Sequence, residues 1–149
     1  MIKSFFLIDD DKDDMEFFAD ALKDIDSSLE FNYSLDCTEL LTALIRNKSK
    51  PHVIFLDINM PGISGWECLH KLKNNVYTKN IPVIMYSTSP AMFEGKKAVL
   101  SGAIAFYEKP ANFRWLREFL QAISVTAATD LRKTLRQLRQ ANYHRIYVE

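Results

Sequence analysis

Cysteine is scarce, charge of either sign is not in excess, and no long apolar run occurs. Cys37 and Cys68 are the only two cysteines. They form no CxxC pair and have no neighbouring histidine pair, so they read as reduced thiols of a cytosolic chain rather than as metal ligands. Nineteen basic residues balance nineteen acidic ones. The overall charge therefore offers no general attraction to nucleic acid or to an acidic membrane. No stretch approaches the roughly 20 apolar residues of a membrane span. Met1-Ile2-Lys3 leads straight into a strand-like segment, so no signal peptide is expected and the location expected is cytoplasmic. Repeats, low-complexity tracts and linkers are also missing before about residue 124. What remains is an ordinary globular composition, 48% apolar and 26% charged over 149 residues, enough for one substantial core. Residues 9–30 are acidic and 132–145 basic, a pattern of solvated helix faces.

Strand and helix patterns alternate. Strands are expected at Lys3–Ile8, Glu30–Leu35, Val53–Leu56, Ile81–Tyr86 and Ala103–Tyr107. Helices are expected at Asp13–Lys23, Cys37–Asn47, Gly65–Asn74, Met92–Leu100 and Asn112–Ile123. Five strands, each followed by a helix, predict an α/β fold with a doubly wound, five-stranded parallel sheet covered on both faces. In such sheets ligands bind beyond the carboxyl ends of the strands, where strand order reverses. Residues 125–149 exceed that plan. Thr129 and Asp130 are placed to cap a sixth helix, Leu131–Ala141, and His144–Val148 is a short strand-like end. The domain expected is 1–124, with 125–149 as a C-terminal extension that packs back or contacts a partner.

The chemistry concentrates at strand ends. Asp57 closes the apolar run Val53–Leu56, and Asp9, Asp10 and Asp11 follow Phe5–Ile8. A carboxylate at the end of a buried strand needs a counter-charge. Asp9, Asp10 and Asp57, brought side by side, would suit a hard divalent cation. Asp11, Asp13 and Asp14 read as an acid-rich helix start. An EF-hand is excluded, because loop position six would be Asp14 and position twelve Asp20. Ser87 and Lys109 end two further strands. Lys109 precedes Pro110, which biases it toward extended backbone. A hydroxyl and an ammonium there suit an anion such as a phosphoryl group.

Four segments in order carry a family resemblance: Leu7-Ile8-Asp9-Asp10, Ile54–Gly65 with its Leu-Asp-Ile-Asn-Met-Pro-Gly core, Pro82–Ser87, and Phe106-Tyr107-Glu108-Lys109-Pro110. The set resembles the response-regulator receiver domain of two-component signalling, over residues 3–124. The opening Leu7–Asp14 is similar to stand-alone receivers, some of which partner phytochrome-like kinases. The resemblance implies a flavodoxin-like sheet of order 2-1-3-4-5. It implies that Asp57 accepts a phosphoryl group from a histidine kinase or histidine phosphotransfer protein. Asp9, Asp10, Asp57 and the backbone carbonyl of Asn59 would hold Mg2+ or Mn2+. Lys109 would pair with Asp57 at rest and with the phosphoryl oxygens afterwards. Ser87 and Phe106 would be the switch residues, and the chain would catalyse its own transfer and slow aspartyl-phosphate hydrolysis without being a conventional enzyme. Asp57 would need no base, being ionised at pH 7. Phe106 stands where tyrosine is frequent, so its inward or outward setting rests on packing. Tyr107 should lie on the opposite face.

The output implied is contact with a downstream protein through the face of the fourth helix, fifth strand and fifth helix. That face or the extension would also be the site of a homodimer. Alternatives are a phosphorelay intermediate, a non-phosphorylated binding module, and a haloacid-dehalogenase-type phosphatase. The phosphatase expects a second aspartate where Asn59 stands, and the binding module expects a missing Asp or Lys that is present.

Overall fold

The computed structural model describes residues 1–47, 49–141 and 145–149. Strands and helices alternate as β1 (Ser4–Ile8), α1 (Lys12–Ile25), β2 (Glu30–Ser34), α2 (Cys37–Arg46), β3 (Val53–Leu56), α3 (Gly65–Lys73), β4 (Val83–Ser87), α4 (Ala91–Leu100), β5 (Ala105–Glu108) and α5 (Phe113–Ser124). These are followed by α6 (Leu131–Ala141) and β6 (Ile146–Val148). The sheet order is β2-β1-β3-β4-β5-β6. The first five strands are parallel, in the doubly wound, flavodoxin-like arrangement.

One count changes: among the described residues the sheet has six strands, because β6 adds antiparallel to the outer edge of β5. Ile146–Val148 carries a strand pattern, but its partner is set by tertiary placement. The outer edge of β5 would otherwise present unpaired N–H and C=O groups. His144, expected to open this strand, lies outside the described residues. The residues expected to cap α6 form a 3-10 turn, Ala128–Asp130, that runs directly into it. Residues 125–141 and 145–149 thus fold back. Leu131 and Leu135 join the core, and the Ile2 N–H donates to the Thr126 carbonyl at 3.0 Å. Among the described residues no helix is long and apolar enough to cross a membrane.

Strand alternation builds two cores. Phe5, Leu7, Phe55, Tyr86 and Tyr107 face α1, α5 and α6, whereas Ile8, Ile54, Leu56, Met85 and Phe106 face α2, α3 and α4. Tyr107 stacks on Phe119 at 3.7 Å between ring centroids, on the face opposite Phe106. The edge strand β2 departs from simple alternation: Tyr33 is exposed and stacks beside Phe31, while Ser34 is buried.

The helices start where short polar side chains cap them. Asp11 accepts from the Asp13 and Asp14 amides, Asp36 from Glu39, Ser64 from Glu67, and Asn112 from Arg114. α4 differs. Its N-cap residue, Pro90, gives no side-chain bond, and the Ala91 N–H instead donates to Glu108 Oε1 at 3.2 Å.

The cysteines require a correction. Cys37 opens α2, Cys68 lies on α3, and the two are joined in a disulfide rather than being free thiols, with Cα atoms 5.7 Å apart. Both are buried in the layer shared by these helices. The fold brings together cysteines 31 residues apart, and linear spacing gives no sign of that.

Candidate functional site

Register delivers the site. β1 and β3 pair with Ile8 opposite Leu56, so Asp9 and Asp57 emerge level with each other. The Asp57 N–H donates to the Ile8 carbonyl at 3.0 Å, and the Asp9 N–H to the Ser34 carbonyl at 3.2 Å. On the other side Ser87 lies opposite Glu108, and the Lys109 N–H donates to the Ser87 carbonyl at 2.8 Å. Asp9, Asp57, Ser87 and Lys109 therefore meet at one end of the sheet, with Asp10 exposed on the rim. Phe106 lies deeper on β5 and is fully buried.

Asp9 is 1% exposed and Asp57 6%. Carboxylate oxygens of Asp9, Asp10 and Asp57 lie within 4.8 Å of one another. The Lys109 ammonium donates to Asp9 Oδ2 and Asp14 Oδ2, each at 2.8 Å, and stands 3.5 Å from Asp57 Oδ2. The expected resting pair of Lys109 with Asp57 is thus the longest of three contacts. Asp14 draws the ammonium away, and its role extends beyond that of a helix-start acid. The signal was in the capping register. With Asp11 as N-cap, residue 14 falls at the third helical position, where side chains lean back toward the helix start and the strand ends. Tyr86 is a second addition, with its ring centroid 5.4 Å from the Lys109 ammonium.

Burial pushes the Asp57 carboxyl up to about 7; Lys109 pulls it back and Asp9 adds to the rise. Burial raises Asp9 as well, against the hydrogen bond from Lys109. Burial alone would lower Lys109, but hydrogen bonds to Asp14 and Asp9 outweigh it and hold the ammonium above the ordinary lysine range. Full ionisation of Asp57 at pH 7 is therefore not given by its type alone, because its strand end is desolvated. One ammonium serves two buried acids, Asp9 and Asp57, and the half-buried Asp14, and the hard oxygen donors left over fit a divalent cation.

The loop after Asp57 is shaped by two glycines. Gly62 has φ of 76°, a left-handed setting. Gly65, the first residue of α3, lies so close to Asp57 that a Cβ would overlap the Asp57 carbonyl oxygen. Asn59, on this loop, is exposed. Ser87 is fully buried, and its hydroxyl accepts from the Ser89 N–H at 3.3 Å.

The family described as response regulator receiver domain matches residues 5–121. Protein PilG of Pseudomonas aeruginosa is 37% identical over 60 residues, which cover 40% of this chain and 44% of PilG. The matched stretches span about half or less of the curated relatives. Among solved structures, the Mn2+-bound form of response regulator Rcp1 superposes with a TM-score of 0.70 at 26% identity, covering 84% of this chain and 96% of Rcp1. The phosphorylated cyanobacterial phytochrome response regulator RcpA superposes with a TM-score of 0.68 at 27% identity, covering 83% and 91%.

Proposed function

The chain belongs to the response regulator receiver family, and on that premise we propose that it accepts a phosphoryl group on Asp57 from a phosphohistidine and signals by protein–protein contact. The observation that carries this is the buried Asp57 carboxylate at a strand end, with the Lys109 ammonium 3.5 Å away and two further carboxylates alongside. In the transfer, an Asp57 oxygen bonds to phosphorus as the bond to the donor imidazole nitrogen breaks, and the imidazole leaves with that electron pair. The transition state is loose, so the protein contributes mainly position and charge.

Asp9, Asp10, Asp57 and the Asn59 carbonyl would hold Mg2+ or Mn2+, which when bound supplies positive charge against the phosphoryl oxygens. Lys109 leaves Asp14 for the phosphoryl group, a short move for a flexible stem already shared among three acids. Ser87 turns its hydroxyl from the Ser89 amide to donate to a phosphoryl oxygen. Phe106, on the strand that leads into Lys109, reads that movement into the core. The phosphoryl donor proposed is a phytochrome-like sensor histidine kinase or a histidine phosphotransfer protein. This rests on similarity to RcpA, described as a phytochrome response regulator.

Acetyl phosphate with Mg2+ followed by intact mass tests the proposal. The wild type should gain one phosphoryl mass, and Asp57→Asn should not. No adduct on the wild type, or an equal one on the variant, would refute it.

A further inference from the structure

The C-terminal strand sits on the part of the fold that a receiver would use to report its state. β6 pairs with β5 through Ala105–Val148, Phe106–Tyr147 and Tyr107–Ile146. Tyr147 thereby lies directly beside Phe106 on the neighbouring strand, in the same apolar layer. On its other side is α4, where Gly95 is the residue that gives it room: a Cβ at Gly95 would overlap Tyr147 Cβ and Cγ. α6 holds the strand from behind. The Arg139 guanidinium lies 5.1 Å from the Tyr147 ring and donates to the Val148 carbonyl at 2.7 Å, and Arg136 donates to the Glu149 carbonyl at 2.8 Å.

The strand is also tied to the site, through Glu108. Glu108 precedes Lys109 and lies opposite Ser87. Its N–H donates to the Arg145 carbonyl at 2.8 Å, and its carboxylate takes the Arg145 guanidinium at 3.4 Å and the first amide of α4 at 3.2 Å. One side chain thus joins the phosphoryl-binding end of β5, the start of α4 and the start of β6. Its two carboxylate contacts, at 3.2 and 3.4 Å, lie at the long end of the hydrogen-bond range. Extra negative charge at Asp57 would draw Lys109 and Ser87 toward it, and Glu108, the residue before Lys109 and the strand partner of Ser87, would be displaced with them.

Resting on the reading of Asp57 as phosphoacceptor, we propose that β6 is an intramolecular strap over the α4–β5 face, that it pins Phe106 inward, and that charge at Asp57 releases it through Glu108. Release uncovers an edge strand and the Gly95 groove, a surface suited to a partner's extended segment. The coupling is reciprocal: if phosphoryl uptake loosens the strap, loosening the strap favours uptake by the same factor.

The test uses the full chain, Mg2+ and beryllofluoride, which binds a carboxylate as a phosphoryl mimic. Calorimetric titration is run on the wild type, Tyr147→Ala and Gly95→Ala, with hydrogen exchange at the β5 and β6 amides. Gly95→Ala pushes the strap off from the helix side while improving helix propensity, so it guards against a variant that fails to fold. The wild type should bind with faster exchange in β5 and β6. Both variants should bind about fivefold tighter or more, a typical allosteric factor, and the double variant no tighter than either. Wild-type binding with unchanged exchange, or variants with equal or weaker affinity, would overturn the strap and leave the Asp57 assignment standing. No binding to the wild type would overturn both.

Discussion

Asp57→Asn should stabilise the cation-free protein above neutral pH. In the folded chain burial lifts the Asp57 carboxyl from 3.8 to about 7. Below pH 3.8 the group is protonated in both folded and unfolded chains and contributes no difference. Between about 4 and 7 the folded chain keeps the proton and the unfolded chain does not, so stability falls as pH rises. Above about 7 the full cost of a buried carboxylate is present. A rise of about 3 pH units corresponds to a ceiling of about 4 kcal/mol at roughly 1.4 kcal/mol per unit. Asparagine removes the charge at nearly constant shape, and the rise to about 7 is already net of the attraction to Lys109, so a gain of about 2–4 kcal/mol, up to that ceiling, is expected at pH 8. For a chain of this size that is roughly 6–12 °C in Tm. Thermal denaturation in EDTA at pH 5 and pH 8, for wild type and Asp57→Asn, measures it. The gap should be wide at pH 8, narrow toward pH 5, and shrink at pH 8 when Mg2+ is added, because the cation stabilises only the carboxylate form strongly. A variant no more stable than the wild type at pH 8, or a gap independent of pH, would refute the assignment of Asp57 as an under-compensated buried charge.

Other substitutions separate the parts of the site. Lys109→Met leaves Asp9, Asp14 and Asp57 without their shared cation and should cost about 3 kcal/mol at pH 7, read by urea denaturation. Asp14→Asn keeps the backbone amide that the Asp11 cap uses but removes one Lys109 partner; a loss of about 1–2 kcal/mol is expected by the same assay. Gly65→Ala forces a methyl group against the Asp57 carbonyl and should cost roughly 2–4 kcal/mol and abolish acetyl-phosphate labelling. The Cys37–Cys68 bridge closes a loop of about 31 residues, so reduction should cost about 3–4 kcal/mol, and thiol titration of the denatured, unreduced chain should find no free thiol.

The sequence was most legible where periodicity and end chemistry agree. Val53–Leu56 is a strand with unchanged limits, because four consecutive apolar residues fit a strand buried on both faces. Most other limits moved by a residue or two, as helix ends do when caps rather than apolar spacing decide them. Asp9, Asp57, Ser87 and Lys109 could be placed together because each follows or ends a strand of one parallel sheet. Contacts fixed by tertiary placement were less accessible. Asp14 looked like any acid at a helix start until the cap register turned it toward Lys109. The cysteines looked independent because nothing in their spacing says that α2 and α3 are neighbours. β6 was recognisable as a strand, but its antiparallel seat on β5 was not. That seat covers the strand edge at the middle of the face first expected to meet partners.

Borohydride reduction of the acetyl-phosphate-treated protein, followed by peptide mapping, tests the central claim most directly. Reduction converts an aspartyl phosphate to homoserine at the residue that carried it. Conversion is predicted at position 57, with Asp9, Asp10 and Asp14 unchanged. Conversion at one of those acids instead, or at none, would contradict the assignment of Asp57 as the phosphoacceptor.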